Sequence, residues 1–372
     1  MSADLQVIVI GAGIAGASTA FALARRGIAV TIIDDGAAGQ ATAASAGIIL
    51  PWSTDNEGAF YELYAAGAAF YPQLLELLAD AGVTRTDYRR TGGLVVNADP
   101  AKLDAVQQRV IARKATAGEV VGDIERLDNA AARELFPPLG PDLDAVFISG
   151  GGRVDGRTMR DALLQAAVGS GARRLTGRAT VERAADDHDR PRVRLAGELL
   201  TADAVVVTAG AWSRDLLNAY GYVAPVQPQK GQISQLRVSD DTTRWPTVHP
   251  ISHHYLVAFD EGRLAVGATR ETGSGFDTRI TAAGQLRVLR DALSIAPGLA
   301  DATLIETRVG LRPLADDLPV AGAVPESPGL YVATGYGAGG LTMGPVIGDA
   351  VARSILGEDA REIAAITPVW HS

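Results

Sequence analysis

The sequence predicts an α/β fold of two domains, and two patterns lead to this prediction. Continuous apolar segments are typical of parallel strands that are buried on both faces, and they occur at residues 5–10, 29–33, 204–207 and 330–333. Residues 225–268 instead alternate between apolar and polar side chains, as in an antiparallel sheet. Because the buried strands are spread along the chain, we expect one domain built from separated segments, with the antiparallel domain inserted between them.

The remaining elements follow from periodicity and from turn residues. Helices are predicted at residues 14–26, 58–81, 100–117, 158–169, 282–295 and 340–356. Further strands are predicted at residues 94–96 and 303–308, and a charged hairpin at 180–200 turns around Asp186 and Asp187. The expected division assigns residues 1–50, 143–222 and 303–372 to the first domain, and residues 51–142 and 223–302 to the second.

Composition narrows the class of protein. The 372 residues carry a formal net charge of -9, so nucleic acid or an anionic membrane is not expected as a partner. The chain has no cysteine and five histidines without ligand spacing, so we expect no metal site and a cytoplasmic location. Residues 5–24 are uncharged, but their glycines and β-branched start favour a strand and a helix over a membrane span.

The first apolar strand ends in Gly11-Ala12-Gly13-Ile14-Ala15-Gly16, which fits G-x-G-x-x-G before a helix. Gly11 permits the tight turn, Gly13 lets a pyrophosphate approach the backbone, and Gly16 lets the helix pack on the strand. Ile14 and Ala15 begin the helix, whose free N–H groups attract phosphate. The pattern predicts a Rossmann-like domain that binds a dinucleotide.

An acidic residue is expected about 20 residues after this turn, where its carboxylate accepts hydrogen bonds from a ribose. Asp34 ends the second strand at this place, and Asp35 competes for the role. An acidic rather than a basic residue argues against a 2′-phosphate and hence against NADP.

A second Gly-rich turn follows the last strand and separates FAD from NAD. It spans residues 334–342 and ends in Gly337, Ala338, Gly339, Gly340, Leu341 and Thr342. A helix N-terminus at this turn can lie against a flavin ring where negative charge accumulates on reduction. An NAD-dependent dehydrogenase, the alternative, would use the first turn alone.

With these motifs in place, the chain resembles the glycine oxidase and D-amino acid oxidase group of FAD-dependent amine oxidoreductases. The resemblance covers nearly the whole chain. The stretches that carry it are VIVIGAGIAGAS with VTIID, GQATAASAGII, VVVTAGAWS, HHYLVAFDEGRLAVGAT, GLRPLADDLPVAG and LYVATGYGAGGLTMGP. It implies a Rossmann-like FAD-binding domain with an inserted antiparallel-sheet domain that binds the substrate.

The resemblance also implies which residues contact FAD. The loop after the second strand contributes Ala41, Thr42, Ala43, Ser45, Ala46 and Gly47. The stretch TAGAW contributes Thr208, Ala209, Gly210 and Trp212, and the adenine contact matches Arg178 and Ala179. Relatives that bind flavin covalently use a cysteine or a histidine that is missing here, so the FAD is expected to be non-covalent.

The substrate site is implied by three residues. Arg312 matches the arginine that binds a substrate carboxylate beside the flavin, and a guanidinium suits that role through two parallel hydrogen bonds. Tyr255 matches a tyrosine whose hydroxyl reaches the same carboxylate, and Tyr336 matches a position next to flavin or substrate. A structural arginine and core aromatic residues remain the alternatives for Arg312, Tyr255 and Trp212.

The expected reaction is hydride transfer from the Cα–H of a small amino acid to flavin N5, giving an imine and then an oxo acid. O2 or another acceptor takes up the electrons. The lysine that promotes reaction with O2 in sarcosine oxidases matches Ala265, and a second arginine of glycine oxidases matches Ala338, so oxidase and dehydrogenase both stay open. A 2-hydroxy acid or another secondary amine is the alternative substrate, and self-association into a homo-oligomer is left open.

Overall fold

The computed structural model describes residues 5–183 and 190–369. Its α-helices are Ile14–Ala24, Ala41–Ala44, Gly58–Asp80, Pro100–Ala117, Asn129–Leu135, Gly156–Gly169, Ser213–Tyr220, Ala282–Ile295 and Gly340–Ile355. Short 3-10 helices lie at Pro51–Ser53, Gly118–Val121, Gly210–Trp212, Pro297–Leu299 and Arg361–Ile366. The α/β fold with parallel and antiparallel sheets confirms the predicted fold class.

One sheet is the predicted nucleotide-binding sheet. Its strand order is Val320–Ala323, Leu330–Thr334, Ala204–Val207, Gln6–Ile10, Ala29–Asp34 and Arg173–Thr176. All of these neighbours pair in parallel except the first two, which pair antiparallel. The order comes from separated segments of the chain, as expected from the spread of the apolar strands.

Both faces of this sheet are covered, which explains why its strands are apolar throughout. Val7 and Val9 face a core shared with the helices Ile14–Ala24 and Gly340–Ile355. Ile8 and Ile10 face the opposite core. That core includes residues of the small antiparallel sheet Ala179–Arg183, Pro191–Leu195 and Glu198–Thr201. The small sheet contains the predicted hairpin, and the turn predicted at Asp186 and Asp187 lies outside the described residues.

The second large sheet is mostly antiparallel. Along one path its strands are Glu271–Thr272, Val226–Arg237, Arg263–Gly267, Tyr255–Ala258, Thr247–Pro250, Gly93–Asn97, Asp144–Ile148 and Ile124–Leu127. The long strand Thr303–Ala315 pairs with Val226–Arg237 over the length of both. A third, small sheet joins Ile48–Ile49, Gly152–Val154 and Tyr88–Arg89.

Two strands of the second, antiparallel sheet differ from the predicted domain division. Asp144–Ile148 and Thr303–Ala315 were assigned to the nucleotide-binding domain by sequence, but both hydrogen-bond into the antiparallel sheet. Thr303–Ala315 also continues past the predicted end at residue 308, because its partner Val226–Arg237 supplies backbone hydrogen bonds up to Ala315. The division into two domains stays a prediction.

No helix within the described residues is both long and apolar enough to cross a membrane. The uncharged residues 5–24 form a buried strand and a buried helix, as predicted.

The helix after the second Gly-rich turn depends on a tyrosine from another part of the chain. Helix Gly340–Ile355 contains Pro345, which has no N–H to donate to the carbonyl of Leu341 four residues earlier. Tyr71, fully buried in helix Gly58–Asp80, donates its hydroxyl to that carbonyl at 2.6 Å. The hydrogen bond therefore replaces the one that the proline removes.

We expect Tyr71→Phe to lower the free energy of unfolding by about 1–3 kcal/mol, because the Leu341 carbonyl would be buried without a donor. Denaturant unfolding measures the change. Tyr61→Phe is the matched control, since its hydroxyl lies in the same helix and has no hydrogen-bond partner among the described residues. An equal loss of stability in the two variants would contradict this account.

Candidate functional site

The glycines of the first turn have different surroundings. Gly11 adopts φ +103°, and a Cβ there would lie 2.5 Å from the carbonyl oxygen of Thr208. A Cβ at Gly16 would lie 1.9 Å from the oxygen of Gly11, so the helix packs on the turn as predicted. The nearest atom to a Cβ at Gly13 is Thr42 Oγ1, at 3.4 Å. Gly11 and Gly16 are thus required by the protein's own packing, whereas Gly13 leaves space in the cleft.

The helix Ile14–Ala24 begins at the wall of this cleft. Gly13 is its N-cap residue and supplies no side-chain hydrogen bond. Thr42 does so instead, because its Oγ1 accepts from the N–H of Ile14 at 3.0 Å. A helix N-terminus carries a partial positive charge, so this end of the cleft favours an anion.

Asp34 lies at the end of its strand, as predicted, and lines the cleft. One carboxylate oxygen accepts from the N–H of Ala12 at 2.7 Å. The other accepts from the N–H of Gly36 at 2.8 Å and from the side-chain amide of Gln40 at 3.1 Å. Asp35 also lines the cleft and accepts from the N–H of Ala37. Sequence reasoning missed Gln40, which orients Asp34 from six residues away.

The loop after this strand forms a second wall. It contains the short helix Ala41–Ala44 and then Gly47, whose φ is +78°. A Cβ at Gly47 would lie 1.7 Å from the carbonyl oxygen of Val154, so only glycine fits this crossing. The carbonyl of Ala43 accepts a hydrogen bond from Arg157 Nε at 3.0 Å.

Thr208, the first residue of the TAGAW stretch, hydrogen-bonds to the first Gly-rich turn. Its hydroxyl is within 2.9 Å of the carbonyl oxygens of both Ile10 and Gly11. Trp212 is half-buried and stacks on Phe276 with ring centroids 5.4 Å apart. It also lines the cleft, so the structure shows it at a cleft wall and not inside a core.

The second Gly-rich turn, at residues 334–342, forms a further wall of the cleft. Gly337 adopts φ +53° and donates its N–H to the carbonyl of Pro313 at 2.8 Å. The hydroxyl of Thr342 donates to the carbonyl of Ile48 at 3.0 Å, which joins the last helix to the loop of the second wall. A Cβ at Gly339 would lie 2.7 Å from Met343 Cε.

The structure brings most of the predicted site residues to one continuous cleft. Those that line it are Gly11, Gly13, Ile14, Ala15, Asp34, Asp35, Ala41, Thr42, Ser45, Ala46, Gly47, Arg178, Ala179, Thr208, Ala209, Gly210, Trp212, Tyr255, Arg312, Tyr336, Gly337, Ala338, Gly340 and Leu341. Four predicted residues do not line it: Gly16, Ala43, Gly339 and Thr342. The contact of each residue with a cofactor stays a prediction.

The antiparallel sheet forms one end of the cleft, and Arg312 lies at this end. Its guanidinium occupies the space that a side chain at Gly231 would need, with both terminal nitrogens 2.5 Å from an ideal Cβ. One of these nitrogens donates to the carbonyl of Thr269 at 3.1 Å. Because the guanidinium has five donors, most of them remain for a ligand.

Two tyrosines accompany Arg312. Burial raises the pKa of the Tyr255 hydroxyl, and the charge of Arg312 together with a hydrogen bond to it offsets part of that rise. Burial also raises the pKa of Tyr336. The Tyr336 hydroxyl is buried without a hydrogen-bond partner in the described part of the chain, although the residue lines the cleft. Both hydroxyls are therefore protonated at neutral pH, and Tyr336 is left with an unused donor.

Sequence reasoning missed several residues of the cleft wall. Gly231 and Ile233 come from the long strand Val226–Arg237, and Leu311 comes from its neighbour Thr303–Ala315. The alternating pattern predicted the sheet but could not show which strands pair, so it did not indicate that Gly231 makes room for Arg312.

The comparisons with known proteins agree with this geometry. The DAO family, described as FAD dependent oxidoreductase, matches residues 6–354. An uncharacterized oxidoreductase, YurR of Bacillus subtilis (strain 168), is 44% identical over 355 residues, which cover 94% of this chain and 95% of that protein. The glycine oxidase of Pseudomonas putida is 30% identical and covers 91% of each chain.

Solved structures show the same likeness. The iminodiacetate oxidase of Chelativorans sp. BNC1 is similar with a TM-score of 0.94 and 45% identity, covering 97% of this chain and 98% of that one. The glycine oxidase of Geobacillus kaustophilus has a TM-score of 0.85 and 26% identity over 99% of this chain and all of its own. The chain therefore belongs to the DAO family and is an FAD-dependent oxidoreductase.

Proposed function

We propose that this enzyme oxidises the Cα–N bond of a small amino acid of the glycine, sarcosine or D-amino acid type. The observation that carries the proposal is the position of Arg312 with Tyr255 in the same cleft as the dinucleotide turn. A carboxylate bound there would share this cleft with the cofactor, as a redox substrate must.

The residues present fit FAD. The open space at Gly13 and the helix N-terminus of Ile14–Ala24 suit a pyrophosphate. Asp34, at the edge of the same cleft, suits a ribose. The unused hydroxyl of buried Tyr336 indicates a polar group of a ligand at the far end. When bound, FAD supplies an acceptor for a hydride and passes two electrons to O2 or another acceptor.

The protein's own contribution is to bind and orient the substrate. Arg312 is expected to hold the carboxylate through two parallel hydrogen bonds, which fix direction as well as charge. Tyr255 is protonated because burial raises its pKa, so its hydroxyl can donate a further hydrogen bond to the same carboxylate. Holding the carboxylate in this way restricts the Cα–H to one direction in the cleft.

The reaction balances without a protein base if the amine enters neutral. The Cα–H leaves as a hydride, the nitrogen lone pair forms the C=N bond, and the iminium loses a proton to water. Water then adds to C=N, and the oxo acid and an amine are released.

A secondary amine is the second candidate substrate. The similar structure with 45% identity is an iminodiacetate oxidase, and iminodiacetate is a secondary amine with a carboxylate on each arm. A 2-hydroxy acid is less favoured, since the comparisons that name a substrate of the more similar proteins name an amine.

Anaerobic reduction of the FAD-loaded protein tests the proposal. We expect at least one of glycine, sarcosine, D-alanine or iminodiacetate to bleach the visible flavin bands, and we expect glycolate and D-lactate to leave them unchanged. Reduction by a hydroxy acid and by none of the amines would overturn the proposed function.

Arg312→Leu tests the carboxylate site. We expect KM for the amine substrate to rise by about 100-fold or more, because charge-assisted hydrogen bonds to the carboxylate are lost. The FAD content is expected to stay unchanged. Arg287→Leu is the control, since it removes the same charge from a side chain that is 60% exposed on helix Ala282–Ile295. Unchanged kcat/KM in the Arg312 variant would remove this residue from the site.

Gly13→Ala tests the phosphate end. The added methyl group meets no protein atom closer than 3.4 Å, so we expect a folded protein whose FAD affinity falls by about 10-fold or more. FAD content after gel filtration and the apoprotein melting temperature are the two measurements. Gly169→Ala, with open space around its Cβ at the end of another helix, is the control that should retain FAD. Full FAD occupancy in Gly13→Ala would contradict the placement of the pyrophosphate.

A further inference from the structure

A second arginine lies beside Arg312, and neither the sequence motifs nor the proposed function uses it. Arg270 is solvent-exposed and follows Thr269, whose carbonyl accepts the hydrogen bond from Arg312. The side chain of Arg270 has no ion pair or hydrogen bond within residues 5–183 and 190–369. An unpaired arginine this close to a carboxylate-binding arginine requires an explanation.

The hydrogen-bonding register places Thr272, two residues after Arg270, on the same face of the antiparallel sheet as Arg312. Arg312 is opposite Gln229 on one edge of the strand Val226–Arg237. Thr272 is opposite the same Gln229 on the other edge. Opposite residues in antiparallel strands share a face, and so do residues two apart in one strand.

Arg270 lies just outside the strand Glu271–Thr272, between Thr269 and Glu271. The Thr269 hydroxyl donates to the Glu271 carboxylate at 2.6 Å, so these two side chains lie together on one side, and Arg270 between them extends to the other side, where its charge acts on Arg312 and Tyr255.

Side-chain contacts support this assignment of faces. Gln229 Nε2 donates to Thr272 Oγ1 at 3.0 Å, so these two side chains are on the same side of the sheet. Glu271, the residue between Arg270 and Thr272, accepts from Gln232 at 2.7 Å on the opposite side.

This face is the wall of the cleft. Gly231 and Ile233 follow Gln229 at intervals of two, and both line the cleft. Tyr255 shares their face, because it is opposite Gly267, and Gly267 is opposite Ile233. The face thus presents Tyr255 and Arg312 beside Gly231 in the cleft, and Arg270 lies next to them, outside the residues that line the cleft wall.

Gly231 lies in the strand between Arg312 and the segment that carries Arg270. Arg312 covers the space above Gly231, and Arg270 precedes Glu271, which pairs with Lys230 on the other edge of the same strand. Neighbouring strands lie about 4.8 Å apart, so the two arginines flank a gap of two strand spacings.

The charges in this region repel each other. Arg270 is exposed in part, but the partial desolvation of its guanidinium lowers its pKa, and the charge of Arg312 lowers it further, whereas Tyr255 and Asp55 act in the opposite direction. A ligand with one carboxylate neutralises only one of the two cations. A ligand with two carboxylates would remove the repulsion and pair both.

We propose that Arg270 binds a second carboxylate of the substrate, and that the substrate is a small amine with two carboxylates. The inference rests on the proposed function, because Arg312 holds the carboxylate next to the carbon that is oxidised. Arg270 then determines specificity by holding the carboxylate of the other arm. For a secondary amine, hydrolysis releases the oxidised arm as an oxo acid and the other arm as a primary amino acid.

Ligand binding without turnover tests this role. The probes are diglycolate, an ether with two carboxylates and no amine, and methoxyacetate, its analogue with one carboxylate. Each is titrated into FAD-loaded protein, and the shift of the visible flavin bands gives Kd. We expect the wild type to bind diglycolate about 10- to 100-fold more tightly than methoxyacetate, as one further charge-assisted hydrogen bond implies.

Arg270→Gln should remove that advantage and leave the Kd of methoxyacetate within about twofold. Arg270→Lys should restore part of it. Arg290→Gln, whose side chain is 68% exposed on helix Ala282–Ile295, should change neither constant and controls for net charge. FAD content and melting temperature confirm that each variant is folded.

Equal affinities of the wild type for the two probes would overturn the inference, as would an Arg270→Gln variant that loses both probes equally or retains both. These results are separate from the proposed function. Failure of every amine to reduce the FAD would overturn the proposed function, whereas failure of Arg270→Gln to discriminate the probes concerns the second carboxylate alone.

Discussion

The backbone of one strand, Thr303–Ala315, positions Arg312 relative to the loops that line the cleft. Along its length it hydrogen-bonds to Val226–Arg237 of the antiparallel sheet. The N–H of Leu311 also donates to the carbonyl of Gly39, at the start of the loop after the second strand, at 2.8 Å. The carbonyl of Pro313 accepts from Gly337 of the last Gly-rich turn. Arg312 lies between these two contacts, so its position relative to both loops is fixed by main-chain hydrogen bonds.

Small residues are required where these segments cross. A Cβ at Gly310 would lie 2.9 Å from the Cβ of Ala44, and one at Gly47 would meet the backbone of Val154. Gly231 similarly leaves the space that the Arg312 guanidinium fills. Gly310 lets the long antiparallel strand pack directly on the loop that follows the second parallel strand. Gly47 and Gly231 make room for neighbouring segments of the same cleft wall.

The part of the site that lies within one local motif could be predicted from the sequence. Gly11, Gly13 and Asp34 belong to a single strand–turn–helix–strand unit whose spacing is typical of a dinucleotide site, and all three line the cleft. Arg312 was found through a motif of the family. Its neighbours were not, because they depend on strand register. Nothing near Arg270 in the sequence indicates that Gln229 pairs with both Thr272 and Arg312.

Other features were missed for the same reason. Pro345 is a local signal against a helix, and Tyr71, which compensates for it, lies far away in the sequence. The strand predicted at residues 303–308 continues to Ala315, because its partner Val226–Arg237 pairs with it over that length. In each case the deciding contact is between residues that are distant in the chain, whereas patterns in the sequence report only on neighbours.

The most direct measurement of the central claim is a crystal structure of the FAD-loaded protein with methoxyacetate bound. The account predicts that both oxygens of the carboxylate lie within hydrogen-bond distance of the Arg312 guanidinium, and that one of them also accepts from Tyr255. A carboxylate bound elsewhere in the cleft, with Arg312 still hydrogen-bonded only to Thr269 and Tyr255, would contradict it.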